Sequence, residues 1–213
     1  MTSLGGEPGF PTPGSSDQRI EEGFPLDGIW GRVITGRDED GGLILSDEDE
    51  FLGRVTPDLA GSWGSTVTLW DNLQLYALLA WKRGFVVHHR AIPFRFQFGS
   101  ERALYDPDFL PEQELDDLFA FIGSGEPTPF VEDGDFVKLR EVSATYTLPE
   151  TWASAFRAQR ASITISGRNL KTWTDYSGVD PEVNGAGQSD LVVTDFFTVP
   201  QPRRIVTSLN LTF

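Results

Sequence analysis

The chain has no cysteine among its 213 residues, which excludes disulfide staples, thiol catalysis and thiolate metal sites. It is also short of positive charge: 17 Lys and Arg stand against 32 Asp and Glu, a formal net charge of −15. A surface of that sign repels nucleic acid, and it argues against a basic amphipathic mode of lying on a membrane. No run of about 18 consecutive apolar residues occurs, so no transmembrane helix is encoded. The opening segment MTSLGGEPGFPTPGSS has neither a basic n-region nor an apolar h-region and does not read as a signal peptide. No nucleophile stands beside a base. Glu112, Glu114, Asp116 and Asp117 form an acidic helix start that dipole matching explains, not a catalytic pair. The chain therefore reads as a non-enzyme with no cofactor and no metal.

Turn formers and aromatics are abundant instead, with 22 Gly, 14 Pro, 16 Phe and 6 Trp, a composition that predicts many turns. Residues 1–58 are rich in Gly, Pro and acids and read as an irregular region, apart from a possible short strand at Gly28 to Thr35. Arg37 to Glu50 reads as a solvated loop. From residue 59 to 213 the texture changes to period-2 alternation. Gly61 to Leu69 places Trp63, Val67 and Leu69 on one parity, and Leu73 to Trp81 places Leu73, Leu75, Ala77, Leu79 and Trp81 on one face. Matching the two apolar faces requires Leu69 to oppose Leu73. Trp70-Asp71-Asn72 then becomes a three-residue loop with Asn72 left-handed.

Phe136 to Leu148 changes phase midway: Val137 and Leu139 have one parity, and Val142, Ala144, Tyr146 and Leu148 the other. One extra residue near Arg140-Glu141 puts both sets on one face, which predicts a β-bulge. A short connection through Pro149 to Trp152 leads to a strand at Ala161 to Leu170, and the last strand runs from Arg203 to Phe213. Gly84 to Asp135 and Lys171 to Pro202 are long loops, the first with a short helix at Pro111 to Phe121.

The predicted fold class is all-β, an antiparallel meander of about five to six strands with long loops and one short helix. It forms part of an incomplete transmembrane β-barrel. The strands approach the 9–11 residues a tilted strand needs to cross a bilayer, and short turns alternate with long loops. The polar faces are mostly Ser, Thr, Asn and Gln. Trp70, Tyr146, Trp152 and Phe213 fall at the short-turn end, and Trp63, Trp81, Phe136 and Trp173 at the other, as two interfacial belts would. The pattern leaves a second class open, a soluble acidic β-sheet module that binds carbohydrate through exposed aromatics. The apolar faces of 161–170 and 203–213 separate the two. They face lipid in a barrel and pack against another layer in a soluble module.

Three remaining features have a structural reading. His88 and His89 are adjacent, and adjacent residues in extended backbone point to opposite faces, which makes joint chelation awkward. The acids of Asp38 to Asp49 lack the spacing of a calcium loop and read as solvated. Asp180-Pro181-Glu182 reads as a loop-shaping turn. Lys138 and Arg168 are candidates to line a lumen or to satisfy neighbouring acids.

FVEDGDFVKLREVSATYTLPETW (Phe130 to Trp152), ISGRNLKTWTDYSGVDPEVN (Ile165 to Asn184) and VPQPRRIVTSLNLTF (Val199 to Phe213) resemble, in order and spacing, three segments near the C-terminus of SusC/RagA-type TonB-dependent outer-membrane receptors. LGRVTPDLAGSWGSTVTLWDNLQLYALLAWKRG (Leu52 to Gly84) resembles the preceding hairpin. Ser208 stands where the family often has Gly. The resemblance implies a piece of a longer barrel, since so few strands cannot close one. It implies nutrient import of oligosaccharides or peptides, with a SusD-like surface lipoprotein, the TonB complex, outer-membrane lipid and the barrel assembly machinery as partners. It assigns Asn169, Leu170, Trp173, Tyr176, Gly178, Asp180, Pro181 and Glu182 to a family motif, and Leu209, Leu211 and Phe213 to a C-terminal assembly signal.

Overall fold

The computed structural model describes residues 10–11, 17–39, 42–97, 127–187 and 193–213. In chain order the first strands are β1 (Phe10–Pro11), β2 (Arg19–Ile20), β3 (Gly28–Gly31), β4 (Ile34–Arg37), β5 (Leu43–Leu45) and β6 (Glu50–Arg54). Then follow β7 (Leu59–Leu69), β8 (Leu73–Arg83), β9 (Val86–His89), helix α1 (Ala91–Gln97) and β10 (Val131–Asp133). The chain ends with β11 (Phe136–Thr147), helix α2 (Glu150–Ala155), β12 (Arg160–Thr174), β13 (Thr194–Asp195) and β14 (Arg204–Thr212). The helix expected at Pro111 to Phe121 lies outside the described residues.

These elements divide into two compact units. The first contains residues 1–58, 84–134 and 176–199, and the second 59–83, 135–175 and 200–213.

The second unit is a five-stranded antiparallel sheet in the order β14-β12-β11-β8-β7. Leu69 pairs with Leu73, as the matched apolar faces require. The turn between them differs in one respect: Trp70 (φ 49°) and Asp71 (φ 58°) are the left-handed residues. Two consecutive positive φ values give the twist that suits a tight hairpin. Asn72 instead serves as a backbone tie, donating to the Leu69 carbonyl at 3.3 Å and accepting from the Thr147 N–H at 2.8 Å. The predicted bulge is present, because the ladders to both β8 and β12 shift between Leu139 and Glu141. β12 runs four residues past the expected Leu170. Asn169 takes a left-handed φ of 52° beside the bulge and interrupts the regular pairing, which resumes from Lys171 opposite Leu139 to Thr174 opposite Phe136. The connection after β11 is the one-turn helix α2, with Ala153 buried.

The first unit holds short ladders around a small core. Ile29, Trp30, Val55, Phe85, Val87 and Phe130 are buried. Phe24, Trp30 and Phe51 pack ring against ring, with centroids 4.6 to 5.5 Å apart. The single strand expected at Gly28 to Thr35 is two. Thr128 Oγ1 donates to the Arg32 carbonyl at 2.6 Å, so that carbonyl is taken from the ladder, and the chain restarts as β4. β4 pairs with β5 inside the segment read as loop. β10, β9 and β13 form a three-stranded sheet, with β9 antiparallel to β10 and parallel to β13.

Candidate functional site

The five-stranded sheet has two chemically distinct faces, and register creates both. One cross-strand row reads Val67, Leu75, Ala144, Ile165 and Thr207; the next reads Leu69, Leu73, Tyr146, Ile163 and Leu209. Because the bulge restores phase, Val137 and Leu139 join Val142 on this apolar face. Trp63, Ile165 and Leu209 are each 55% exposed, so a broad apolar surface lies open, the kind that marks an interaction face. At one end the Trp81 ring lies across β7 at Gly61, where an added Cβ would come within 2.6 Å of the ring. The glycine is what lets the indole lie flat there.

The opposite face is hydroxylic. Thr145 Oγ1 and Thr164 Oγ1 are 2.9 Å apart, and Arg168 Nε meets Glu141 Oε2 at 3.3 Å. Lys138 is buried on this face, its Nζ 5.0 Å from the Phe136 ring centroid.

On β14, Leu209 pairs with Ile163 and Leu211 with Ala161, both on the apolar face, and Phe213 follows the strand, exposed. On β12, Asn169 Nδ2 donates to the Pro202 carbonyl at 3.3 Å. Leu170 packs over Gly167, and Trp173 pairs with Val137 on the apolar face.

The remaining motif residues lie in the first unit. Asp180 Oδ1 accepts from the Glu182 N–H at 2.9 Å and Pro181 is fully buried, so the segment is the loop-shaping turn its residues predict. Gly178 lies against the Tyr176 ring, where a Cβ would clash.

Tyr176 leads to a polar cluster that sequence reasoning missed. Its hydroxyl donates to Asp195 Oδ2 at 2.8 Å. His89 Nδ1 lies 3.3 Å from both Glu132 Oε1 and Ser177 Oγ, and its Nε2 is 3.9 Å from Asp195. Ser177 donates to Glu132 from its N–H and its hydroxyl, each at 2.7 Å. His88 faces elsewhere, its Nδ1 2.6 Å from Asp17 Oδ2. Among the described residues no group of three or more His, Asp or Glu side chains has metal-binding geometry. Burial pushes the Glu132 carboxyl up, but hydrogen bonds from His89 and Ser177 and the His89 charge outweigh it and hold the group below its ordinary range. Burial, then the bond to Asp195 and the surrounding carboxylate charges, drive the Tyr176 phenol upward. Of this cluster only His89 and Tyr176 drew attention in the sequence. Its carboxylates, Glu132 and Asp195, are 43 and 106 positions away from His89.

No family model matches the chain. Over 189 residues it is 26% identical to TonB-dependent receptor P26 of Formosa agariphila, a match covering 83% of this chain and 19% of the relative. Over 89 residues it is 34% identical to TonB-dependent receptor P3 of the same organism, covering 39% of this chain and 9% of that one. The chain thus spans about a fifth or less of these relatives. The RagAB peptide importer in its open-open state shares the fold across 100% of this chain and 25% of the solved chain, with a TM-score of 0.66 at 17% identity. The RagAB peptide transporter does so across 96% and 25%, with a TM-score of 0.67 at 19% identity.

Proposed function

We propose that the chain is of the SusC/RagA type of TonB-dependent receptor and supplies C-terminal strands of an outer-membrane β-barrel that imports nutrients such as oligosaccharides or peptides, a reading that the likeness to TonB-dependent receptor P26 and the fold shared with RagAB support. One observation carries the reading: a single apolar face continues across all five strands while the other face is hydroxylic. A barrel wall needs that division, since lipid on one side and an aqueous lumen on the other demand opposite chemistry at alternate residues. The sheet strands of nine to fifteen residues have the length a bilayer crossing requires.

In this reading β14 lies against strands from elsewhere in the barrel. Leu209, Leu211 and Phe213 are the handle for the assembly machinery. Asn169, Leu170 and Trp173 set the upper end of β12, and Tyr176 to Glu182 begin an extracellular loop. A SusD-like lipoprotein docks on the loop side, and the TonB complex acts through a part of the receptor outside this chain. The RagAB likeness supports the lipoprotein partner.

The lack of cysteine provides a clean test, because the chain adds no background thiol. Single variants Thr164→Cys and Ser143→Cys are expected to react with a water-soluble maleimide in outer membranes. Ile165→Cys and Val142→Cys are expected to stay unreactive until detergent is added. Equal labelling of both sets would overturn the barrel reading.

A further inference from the structure

A cavity of about 200 Å3 lies wholly within the first unit, lined by Asp17, Gln18, His88, Arg90, Thr194 and Phe196 among others. It holds about six or seven waters, or one sugar ring. Its polar wall is set in place: Gln18 and His88 are almost fully buried, and His88 Nδ1 is fixed 2.6 Å from the Asp17 carboxylate. Arg90 is different. Among the described residues it bonds through its backbone N–H to the His88 carbonyl at 3.0 Å, and its guanidinium makes no ion pair. An uncommitted guanidinium in a chain of net charge −15 is a fork for a carboxylate brought from outside.

The remaining walls decide what bears that carboxylate. β13 is an edge strand, where a peptide could add by backbone pairing. That edge is already capped at Thr194, whose carbonyl accepts from the Gly185 N–H at 2.7 Å and whose N–H reaches Asn184 Oδ1 at 3.4 Å. The ligand is therefore met by side chains. Phe196 offers a half-exposed aromatic ring, braced edge-on by Phe94 at 4.9 Å, suited to the apolar face of a ring.

We propose that this cavity binds one acidic sugar residue, a uronate. Its carboxylate sits on Arg90, its hydroxyls on the Asp17, Gln18 and His88 wall, and its ring face against Phe196. The inference rests on the import reading, since it makes the cavity a substrate subsite.

The test titrates glucuronate, glucose and a short peptide with a free C-terminal carboxylate into the detergent-purified receptor carrying this chain, by calorimetry. Glucuronate is expected to bind about tenfold or more tightly than either alternative, and Arg90→Gln to reduce it to the glucose level. Arg90→Lys recovers part of the loss, because it keeps charge without the fork. Phe196→Ala weakens both sugars, a second readout should Arg90→Gln misfold. Unchanged glucuronate binding in folded Arg90→Gln, absence of glucuronate binding in the wild type, or tighter binding of the peptide would each overturn the proposal. No glucuronate binding in a receptor that passes the maleimide test removes the subsite and leaves the barrel reading standing. Arg90-dependent binding in a protein that fails that test does the reverse.

Discussion

Tyr176 and Asp195, 19 residues apart, are joined by a hydrogen bond in which the phenol donates to a carboxylate oxygen at 2.8 Å, and both side chains are buried. The His89 ring lies 5.2 Å from the same phenol. Removing the donor leaves a buried carboxylate one bond short, a loss of about 1–3 kcal/mol. Tyr176→Phe is therefore expected to lower the unfolding midpoint of the first unit, followed by native-state hydrogen exchange at β9 and β13. No change in exchange would mean the bond contributes nothing net.

The same pair makes an alkaline prediction. Burial, the bond to Asp195 and nearby carboxylate charge all hold the Tyr176 proton on. A raised folded pKa stabilises fully below the unfolded value and loses that contribution as pH rises toward the folded one. Spectrophotometric titration should leave one of the 4 tyrosines un-ionised above the ordinary tyrosine range until unfolding begins, and Tyr176→Phe should abolish that resistant fraction.

Glu132 has the opposite sign. Its folded pKa lies below the ordinary carboxyl value, through His89 and Ser177 against the pull of burial. Its contribution is complete above the unfolded carboxyl pKa and is lost as pH falls through the folded one. Acidification below the ordinary glutamate range should loosen the β9–β10 ladder, and Glu132→Gln should flatten that dependence from the ordinary carboxyl range downward. A variant with the wild-type acid profile would remove Glu132 from the account.

The sheet was far more legible than the polar cluster, for a physical reason. Alternation is a local signal, so Val137, Leu139 and Val142 alone disclose a bulge at Arg140. The need for Leu69 to face Leu73 likewise fixes a hairpin. Which turn residues are left-handed depends on strand twist, so Trp70 and Asp71 displaced the expected Asn72. The Asn169 irregularity hid the last four residues of β12, because left-handed backbone interrupts the alternation that announces a strand. The Glu132, His89, Asp195 and Tyr176 cluster is assembled from three distant segments, and nothing local to any one of them announces the others.

Bulge and faces give a deletion test. Removing Arg140 takes out the one residue the bulge absorbs, so Leu139 and Val142 become two positions apart and Val137, Leu139 and Val142 stay on the apolar face by plain alternation. If the sheet is a barrel wall, receptor lacking Arg140 should therefore still reach the outer membrane as a heat-modifiable barrel, as should Arg140→Ala, in which the bulge absorbs alanine instead. Failure of the deletion to assemble would mean the bulge does more than align the faces.

Adjacent residues on β12 provide the sharpest contrast of all. Ile165 pairs with Ala144 on the apolar face, while Thr164 bonds to Thr145 on the hydroxylic one. If the apolar face meets lipid, Ile165→Lys places a charge in hydrocarbon, at a cost of about 2–4 kcal/mol near the bilayer midplane. Thr164→Lys projects toward water and forfeits only a modest hydroxyl pair, about 0.5–1.5 kcal/mol. The yield of folded protein in the outer membrane should fall sharply for Ile165→Lys and remain near wild type for Thr164→Lys. If both variants assembled equally well, the apolar face would be meeting water, because lipid and a covering protein layer would each exclude Lys at Ile165 and water would exclude neither variant.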